Sequence, residues 1–297
     1  MALTMDCKAV NGTTTEEYLE YLEKNIPINE TERIFETGGM LKGISDQSDL
    51  AVTYINQYLK NFLVSGLEFR YGTQSFVLGF NGSYILRMNI WLPLDNTGKT
   101  VEEFEEKSYF YYYPHDHNFN LLTVGHYGKG YRTQIYEYDR SSIIGYPGEY
   151  VEIEELEDTT LPEGKVMAYR ACKDIHTQMP PEELSISLNL LANETTASSE
   201  RQYRFDLDKS QIHSEVAESR LFTKSSVFKL AGALANAETE ELLIDIAQKK
   251  MPSPLRISAL DSLSIIANAD TYNEIANGLR DEKDLLLKRY LEESGNI

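Results

Sequence analysis

Tyr113-Pro114-His115-Asp116-His117-Asn118-Phe119 is the stretch that decides how the rest of this chain is read. Residues two apart on a β-strand project to the same side. A strand here therefore points the His115 and His117 imidazoles to a common face, which is half of a metal site. The chain has only five histidines, and His115, His117 and His126 fall close together in it. His176 lies further on, just before another β-like run. So scarce a residue, concentrated in this way, reads as a metal-dependent β-barrel.

The 297 residues are enough for one large domain or two medium ones. A hydrophobic content of 41% and a charged content of 25% are those of an ordinary globular protein. The net charge of −19, with no basic stretch to offset it, argues against nucleic acid and anionic membrane surfaces as partners. No apolar run approaches the roughly 18 residues a spanning helix needs. The stretch MALTMDCKAVNGTTTEE lacks a basic segment followed by an apolar one, so no secretory signal is expected. Two cysteines, Cys7 and Cys172, are too few for a disulfide framework and lack zinc-motif spacing. A cytoplasmic location is the expectation.

Periodicity divides the chain into three regions. Residues 1–69 read as a helical segment, with Thr14 or Thr15 capping TEEYLEYLEKN and a second amphipathic run at DLAVTYINQYLKNFLVSGL. Residues 70–210 read as nine short strands with no helical insert: SFVLGF, SYILRMNIWLPL, KSYFYYYPHDH, FNLLTVGHY, RTQIYEYD, EYVEIEEL, KVMAYRAC, LSISLNLLA and RQYRFDL. Glycine- and proline-bearing turns such as FNGS, YGKG and LPEGK separate them, the pattern of an antiparallel barrel or sandwich. Residues 211–297 return to a helical period, in five short amphipathic helices. Ser253 is the expected cap of one of them, with Pro254 in its first turn. The succession resembles HEAT-type helical pairs, a surface for a second copy or another protein.

Cupins place an H-x-H pair at the end of an inward-facing barrel strand, and this chain resembles them in His115 and His117. Leu121 and Leu122 stand where the usual cupin pattern has a glutamate, and Met167 stands where a later histidine would fall after Pro162-Glu163-Gly164. The match is closer to one branch, the cysteine dioxygenase-like thiol dioxygenases. That branch reads H-D-H, lacks the glutamate, and takes its third histidine from a later strand followed by Ser-Leu-x-Leu. Here His115-Asp116-His117 is followed by His176 and then by Ser187-Leu188-Asn189-Leu190. The resemblance implies a cupin (double-stranded β-helix) barrel flanked by N-terminal helices and a C-terminal HEAT-like domain. It also implies that His115, His117 and His176 hold Fe(II), leaving positions for substrate and O2. Zinc or manganese are the rival metals, because three histidines and a water also make a hydrolytic zinc site. Leu122 stands about where a cysteine of that family would fall, which points away from ordinary thiol-dioxygenase chemistry.

Other residues are candidates of a second rank. Glu137 is either a fourth ligand, a partner orienting a histidine, or a solvent-facing strand residue. His126, nine residues from His117, turns to the opposite face of a regular strand and reads as structural. Arg87, embedded in YILRMNIWL, is costly to bury unpaired and could clamp a substrate carboxylate, with Arg170 a lesser candidate. Tyr136 and Tyr138 are candidate catalytic hydroxyls, and Tyr113 a candidate substrate contact. His213 reads as a surface residue in a polar connector.

Three functions compete on this sequence. The first is an iron oxygenase acting with O2 on a small polar metabolite such as an amino acid or thiol. The second is a zinc or manganese isomerase, hydrolase or lyase. The third is a non-enzymatic binding module that recruits a partner through its helices.

Overall fold

The structure, a computed structural model, describes residues 3–65, 74–94, 98–192, 200–216, 220–280 and 282–294. The chain forms two compact units, Met1–Asp139 with Glu152–Ala197, and Arg140–Val151 with Ser198–Ile297.

The first unit is built on antiparallel strands. One sheet combines β1 (Leu3–Met5), β2 (Ser75–Phe80), β3 (Tyr84–Trp91), β5 (Leu121–Tyr127), β8 (Val166–Tyr169) and β10 (Ser185–Ala192) in the order β1-β8-β5-β10-β3-β2. The other runs β4-β9-β6-β7 within this unit, from β4 (His115–Asp116), β9 (Asp174–Gln178), β6 (Arg132–Tyr138) and β7 (Ile153–Thr160). Alternation along the strands gives the first sheet two unlike faces. Leu86, Met88, Leu122, Val124, Val166, Ala168, Leu188 and Leu190 form one apolar face. Trp91, Leu121, Met167, Tyr169 and Leu191 point the other way and join Ile135 of the second sheet in a separate cluster.

Helices cover the apolar face. In α1 (Thr15–Asn25), Thr14 and Glu17 form a reciprocal capping box, and Tyr18, Leu19 and Leu22 are buried. In α2 (Gly38–Ser45), Gly43 runs against the backbone of Val10, where a Cβ would lie 1.9 Å from the carbonyl oxygen. Glycine is therefore required by the approach. A third helix, α3 (Leu50–Ser65), contributes Leu50 and Ala51. Residues before the strands thus share the core of the sheet rather than building a core of their own. The expected boundary at 69/70 lies outside the described residues.

Two strand expectations are corrected. KSYFYYYPHDH is not one strand: α4 (Lys99–Tyr109) occupies its start, Phe110 and Tyr112 adopt left-handed conformations, Tyr111 makes a single bridge to Gln178, and only His115–Asp116 forms a strand. The strand-rich region therefore does carry a helical insert. Aromatic β-formers gave the strand signal there, while acidic and basic residues spaced for helical pairing, such as Lys99 and Glu103, belong to a helix. In the other direction, DIHTQ forms β9 although it reads as polar, because its neighbours on both sides supply the pairing.

In the second unit, β11 (Tyr203–Asp206) pairs with β12 (Gln211–Glu215), so the segment carrying His213 is a strand, with His213 exposed. The excursion Arg140–Val151 folds around Glu149, whose carboxylate accepts the backbone N–H groups of Ile144, Gly145 and Tyr146. Five helices follow: α5 (Arg220–Ala233), α6 (Ala237–Gln248), α7 (Ser253–Ile266), α8 (Ala269–Gly278) and α9 (Leu285–Glu293). The cap of α7 is Pro252 rather than Ser253, whose hydroxyl instead donates to Asp284. Leu243, Leu260, Leu263, Ile275, Leu287 and Leu291 form the helical core. Arg256, 4% exposed, donates to the Ala247 carbonyl at the end of α6 and to Glu282, which satisfies a charge that would otherwise be costly to bury. Among the described residues, no helix is long and apolar enough to cross a membrane.

Truncating Leu190, fully buried between helices and sheet, leaves a cavity. Leu190→Ala is expected to cost about 2–5 kcal/mol in urea unfolding. Val77→Ala, at an exposed position of the edge strand β2, should stay within roughly 0.5 kcal/mol.

Candidate metal centre

Antiparallel pairing of β4 with β9 sets His115 directly opposite His176, and β9 in turn sets His176 opposite Ile135. Residues paired in this way share a face, so both imidazoles point toward the cluster between the sheets. His117, just past the end of β4, completes the group. His176 Nε2 lies 3.2 Å from His115 Nε2 and 3.1 Å from His117 Nε2. Separations of this size match pairs of ligands about 2.1 Å from one first-row metal ion, and all three ligand atoms lie within 4.8 Å of one another. Within the described residues these three histidines form the metal-competent group, and no carboxylate belongs to it.

The outer nitrogens orient two of the rings, and one of them fixes a tautomer. His115 Nδ1 is 2.7 Å from the Tyr113 carbonyl oxygen, which only accepts, so Nδ1 carries the proton and Nε2 the lone pair. The Gln178 amide lies 2.9 Å from His176 Nδ1. Its Nε2 faces that nitrogen and holds the orientation of the ring. His176 is 2% exposed. Burial holds its pKa well below the ordinary value of 6.5, and the neighbouring His115, His117 and Arg87 charges push in the same direction. A neutral, metal-ready imidazole is the result. Aromatic rings close the sides. Phe119 stacks on His117 with 4.5 Å between centroids, and Tyr169 packs on His176 at the same distance.

His117 lies outside regular structure and needs another support. The turn between β8 and β9 supplies it. The Cys172 N–H donates to the His117 carbonyl at 2.6 Å, and the Ala171 N–H donates to Asn120 Oδ1 at 2.8 Å. Cys172 adopts a left-handed conformation (φ 53°) to present that N–H. Asp174 closes the turn by accepting from the Arg170 backbone N–H at 2.6 Å and from its guanidinium. The strand that carries His176 is therefore entered through a turn that also holds His117.

The structure does not bring all the other candidates to this point. Glu137 pairs with Arg170 at 2.6 Å and Lys173 at 3.1 Å, at the end of β6. That engagement holds its carboxyl below the ordinary range against the opposing effect of burial. Arg170 is committed to Asp174 and Glu137, which leaves it a brace rather than a substrate clamp. Tyr136 and Tyr138 lie on the opposite face of the second sheet from His115 and His176. Tyr136 pairs with Ile175, and the Tyr138 hydroxyl donates to the fully buried Asp116 at 2.6 Å. Tyr113 contributes its carbonyl to His115. His126 faces α2, with Nδ1 2.8 Å from the Ser45 carbonyl.

Arg87 lies opposite Asn189 on the inward face of the first sheet. Its charge reaches His176 and Tyr131. Burial pushes the Tyr131 hydroxyl well above the ordinary tyrosine range, Tyr169 adds to this, and Arg87 opposes it. Beyond Arg87 the same face is polar, and much of it pairs within itself. Ser75 bonds Asn89, the Trp91 indole N–H bonds Ser187, and Thr123 bonds Asn189. Asn120, Gln178, Tyr131 and Tyr169 were not picked out in the sequence. Gln178, two residues from His176 on the same strand, was available from alternation alone, whereas Asn120 shows itself only through a long-range contact.

No protein-family model matches the chain, and no curated protein matches it. Solved structures similar to it include a sugar phosphate isomerase of the cupin superfamily from Silicibacter pomeroyi. That match has 12% identity over 45% of this chain and 66% of the other, with a TM-score of 0.26. A DMSP lyase from Ruegeria pomeroyi shares 11% identity over 41% of this chain and 47% of its own, with a TM-score of 0.23. A cupin domain from Bordetella pertussis shares 11% identity over 42% of this chain and 96% of its own, with a TM-score of 0.21. The chain spans about half the length of the lyases it matches. TM-scores this low carry no weight for function, which rests below on the side chains.

Gln178→Leu removes the hydrogen-bond partner of His176 Nδ1, and Asn120→Ala releases the turn that holds His117. Each is expected to weaken metal binding, roughly 10- to 100-fold for Gln178→Leu, as read by competition with a chelator. A pH effect follows from His176 as well. Its folded pKa is depressed, so the unfolded chain binds the additional proton and stability falls as pH drops below 6.5. That slope should flatten in His176→Asn when unfolding of the metal-free protein is followed across this range.

Proposed function

We propose that this chain is a mononuclear metal enzyme of cupin type, a non-haem Fe(II) oxygenase that uses O2 on a small polar metabolite such as an amino acid or thiol. The observation that carries this reading is the convergence of His115 and His117 Nε2 on His176 Nε2, 3.2 and 3.1 Å from it, with no carboxylate in the group. Such an all-nitrogen set suits a divalent transition metal. Bound there, iron would supply redox chemistry with O2, and zinc or manganese would supply Lewis-acid chemistry instead.

The protein's own contribution is orientation. His115 presents a fixed lone pair because its Nδ1 is engaged by the Tyr113 carbonyl, and the Gln178 amide holds the His176 ring in orientation. Arg87, on the inward face within electrostatic reach of His176, is placed to hold an anionic group of the substrate. Tyr131 and Tyr169, kept protonated by burial, offer neutral hydroxyls beside it. Phe119 and Tyr169 pack against the histidines and limit water there.

The protein purified anaerobically with iron and zinc supplied is expected to carry about one iron per chain by elemental analysis, and His115→Ala or His176→Ala should lose it. Zinc in its place would move the reading to isomerase, hydrolase or lyase chemistry, and no transition metal would end the enzyme reading. In oxygen-uptake assays on amino acids and thiols, Arg87→Ala is expected to raise KM for carboxylate-bearing substrates about tenfold or more while leaving metal content unchanged.

A further inference from the structure

A cleft of about 700 Å3 opens in the helical unit, formed by residues of α7, α8 and α9. Its size is that of a small-molecule site. Asp261, Tyr272, Asn273 and Tyr290 line it, and Ala267 and Ala269 leave room at one side. No lysine, arginine or histidine contributes to its lining among the described residues.

The polar groups have a definite polarity. The Tyr290 hydroxyl donates to Asp261 Oδ1 at 2.8 Å and also engages the Tyr272 hydroxyl. Burial raises the Tyr290 pKa, with Tyr272 and Asp261 adding to the effect, so the phenol remains a neutral donor. Asp261 is half-buried, and among the described residues the Tyr290 hydroxyl is its side-chain partner, with no cation paired to it. The second carboxylate at the cleft, Glu293, is already neutralised by Arg289 at 2.9 Å. The Arg289 guanidinium in turn lies 3.5 Å from the centre of the Tyr146 ring. One carboxylate therefore lines the space with acceptor capacity left, beside two tyrosines and an amide.

We propose that this cleft binds a small organic cation bearing an ammonium or guanidinium group. Asp261 supplies the charged acceptor, Asn273 a neutral one, and Tyr272 and Tyr290 the π-faces that attract a positive charge. An anion would meet Asp261 with no compensating donor charge, and a purely apolar ligand would leave that carboxylate desolvated.

Isothermal titration of the full chain at about 0.15 M salt, with agmatine and spermidine as probes and glutamate as the anionic control, tests this. One bound cation per chain is expected, and no bound glutamate. Asp261→Asn should weaken cation binding about tenfold or more. Ala269→Lys, on the exposed rim, places a tethered ammonium at the cleft and should compete with the probe without threatening the fold. Asp245→Asn, an exposed acid paired with Lys249, should leave binding unchanged and so separates the cleft from general attraction to an acidic protein. Failure of both probes to bind overturns the proposal, as does binding that survives Asp261→Asn and Ala269→Lys equally. His176→Ala serves as an independent check, since loss of the histidine site should not alter this titration.

Discussion

The two-residue pairing of His115–Asp116 with β9 is the constraint on which the candidate centre depends. Strand pairing has a period of two, so a slip of one position would exchange inward and outward side chains. Asp116 would then face the cluster between the sheets, and His115 would face away. Burial on both sides opposes that slip. Inward, His115 and His176 meet at their Nε2 atoms. Outward, the fully buried Asp116 takes the Tyr138 hydroxyl, so the aspartate between the histidines has a fixed place of its own. Such a short strand contributes little hydrogen bonding, and side-chain specification on its two faces sets its register.

The first sheet divides its labour by face. Toward α1 and α2 it is aliphatic and closely packed, with Leu86, Met88, Leu188 and Leu190 at or near zero exposure. Toward the second sheet it carries Arg87, Asn89, Thr123, Ser187 and Asn189 among aromatic rings. Burying these polar groups is tolerable because most of the network pairs within itself, Thr123 with Asn189 and Trp91 with Ser187. Stability comes chiefly from one face, which leaves the other free to be polar.

Much of this was legible from residue order. The spacing of His115, His117 and His176 anticipated the group that the strands bring together, and alternation placed Arg87 in a strand whose inward face it now occupies. Of the two caps the sequence offers for the first helix, Thr14 and Thr15, the structure uses Thr14, and the five terminal helices follow their apolar period. What could not be read depended on contacts distant in sequence. Glu137 looked like a replacement ligand because strand position alone does not reveal that Arg170 and Lys173 claim it. Tyr136 and Tyr138 looked catalytic by proximity in sequence, yet they share a parity that turns them from the histidines. The tyrosine-rich run 109–113 read as a strand because β-propensity reports a half-buried surface rather than a backbone state.

Residues 140–151 leave the strand-rich unit after β6 and return to it at β7, although they belong to the helical unit. The backbone therefore passes between the two units three times, at 139/140, 151/152 and 197/198. A terminal domain joined by one linker can be gained, lost or exchanged by a single genetic event. This arrangement lacks that freedom: cutting the chain at 197 would strand the Glu149 loop inside the remaining piece, without Tyr203 and Arg201 beside Gly145. Within the second unit, residues 140–151 and the C-terminal segment therefore have to be kept together in any attempt to divide the chain.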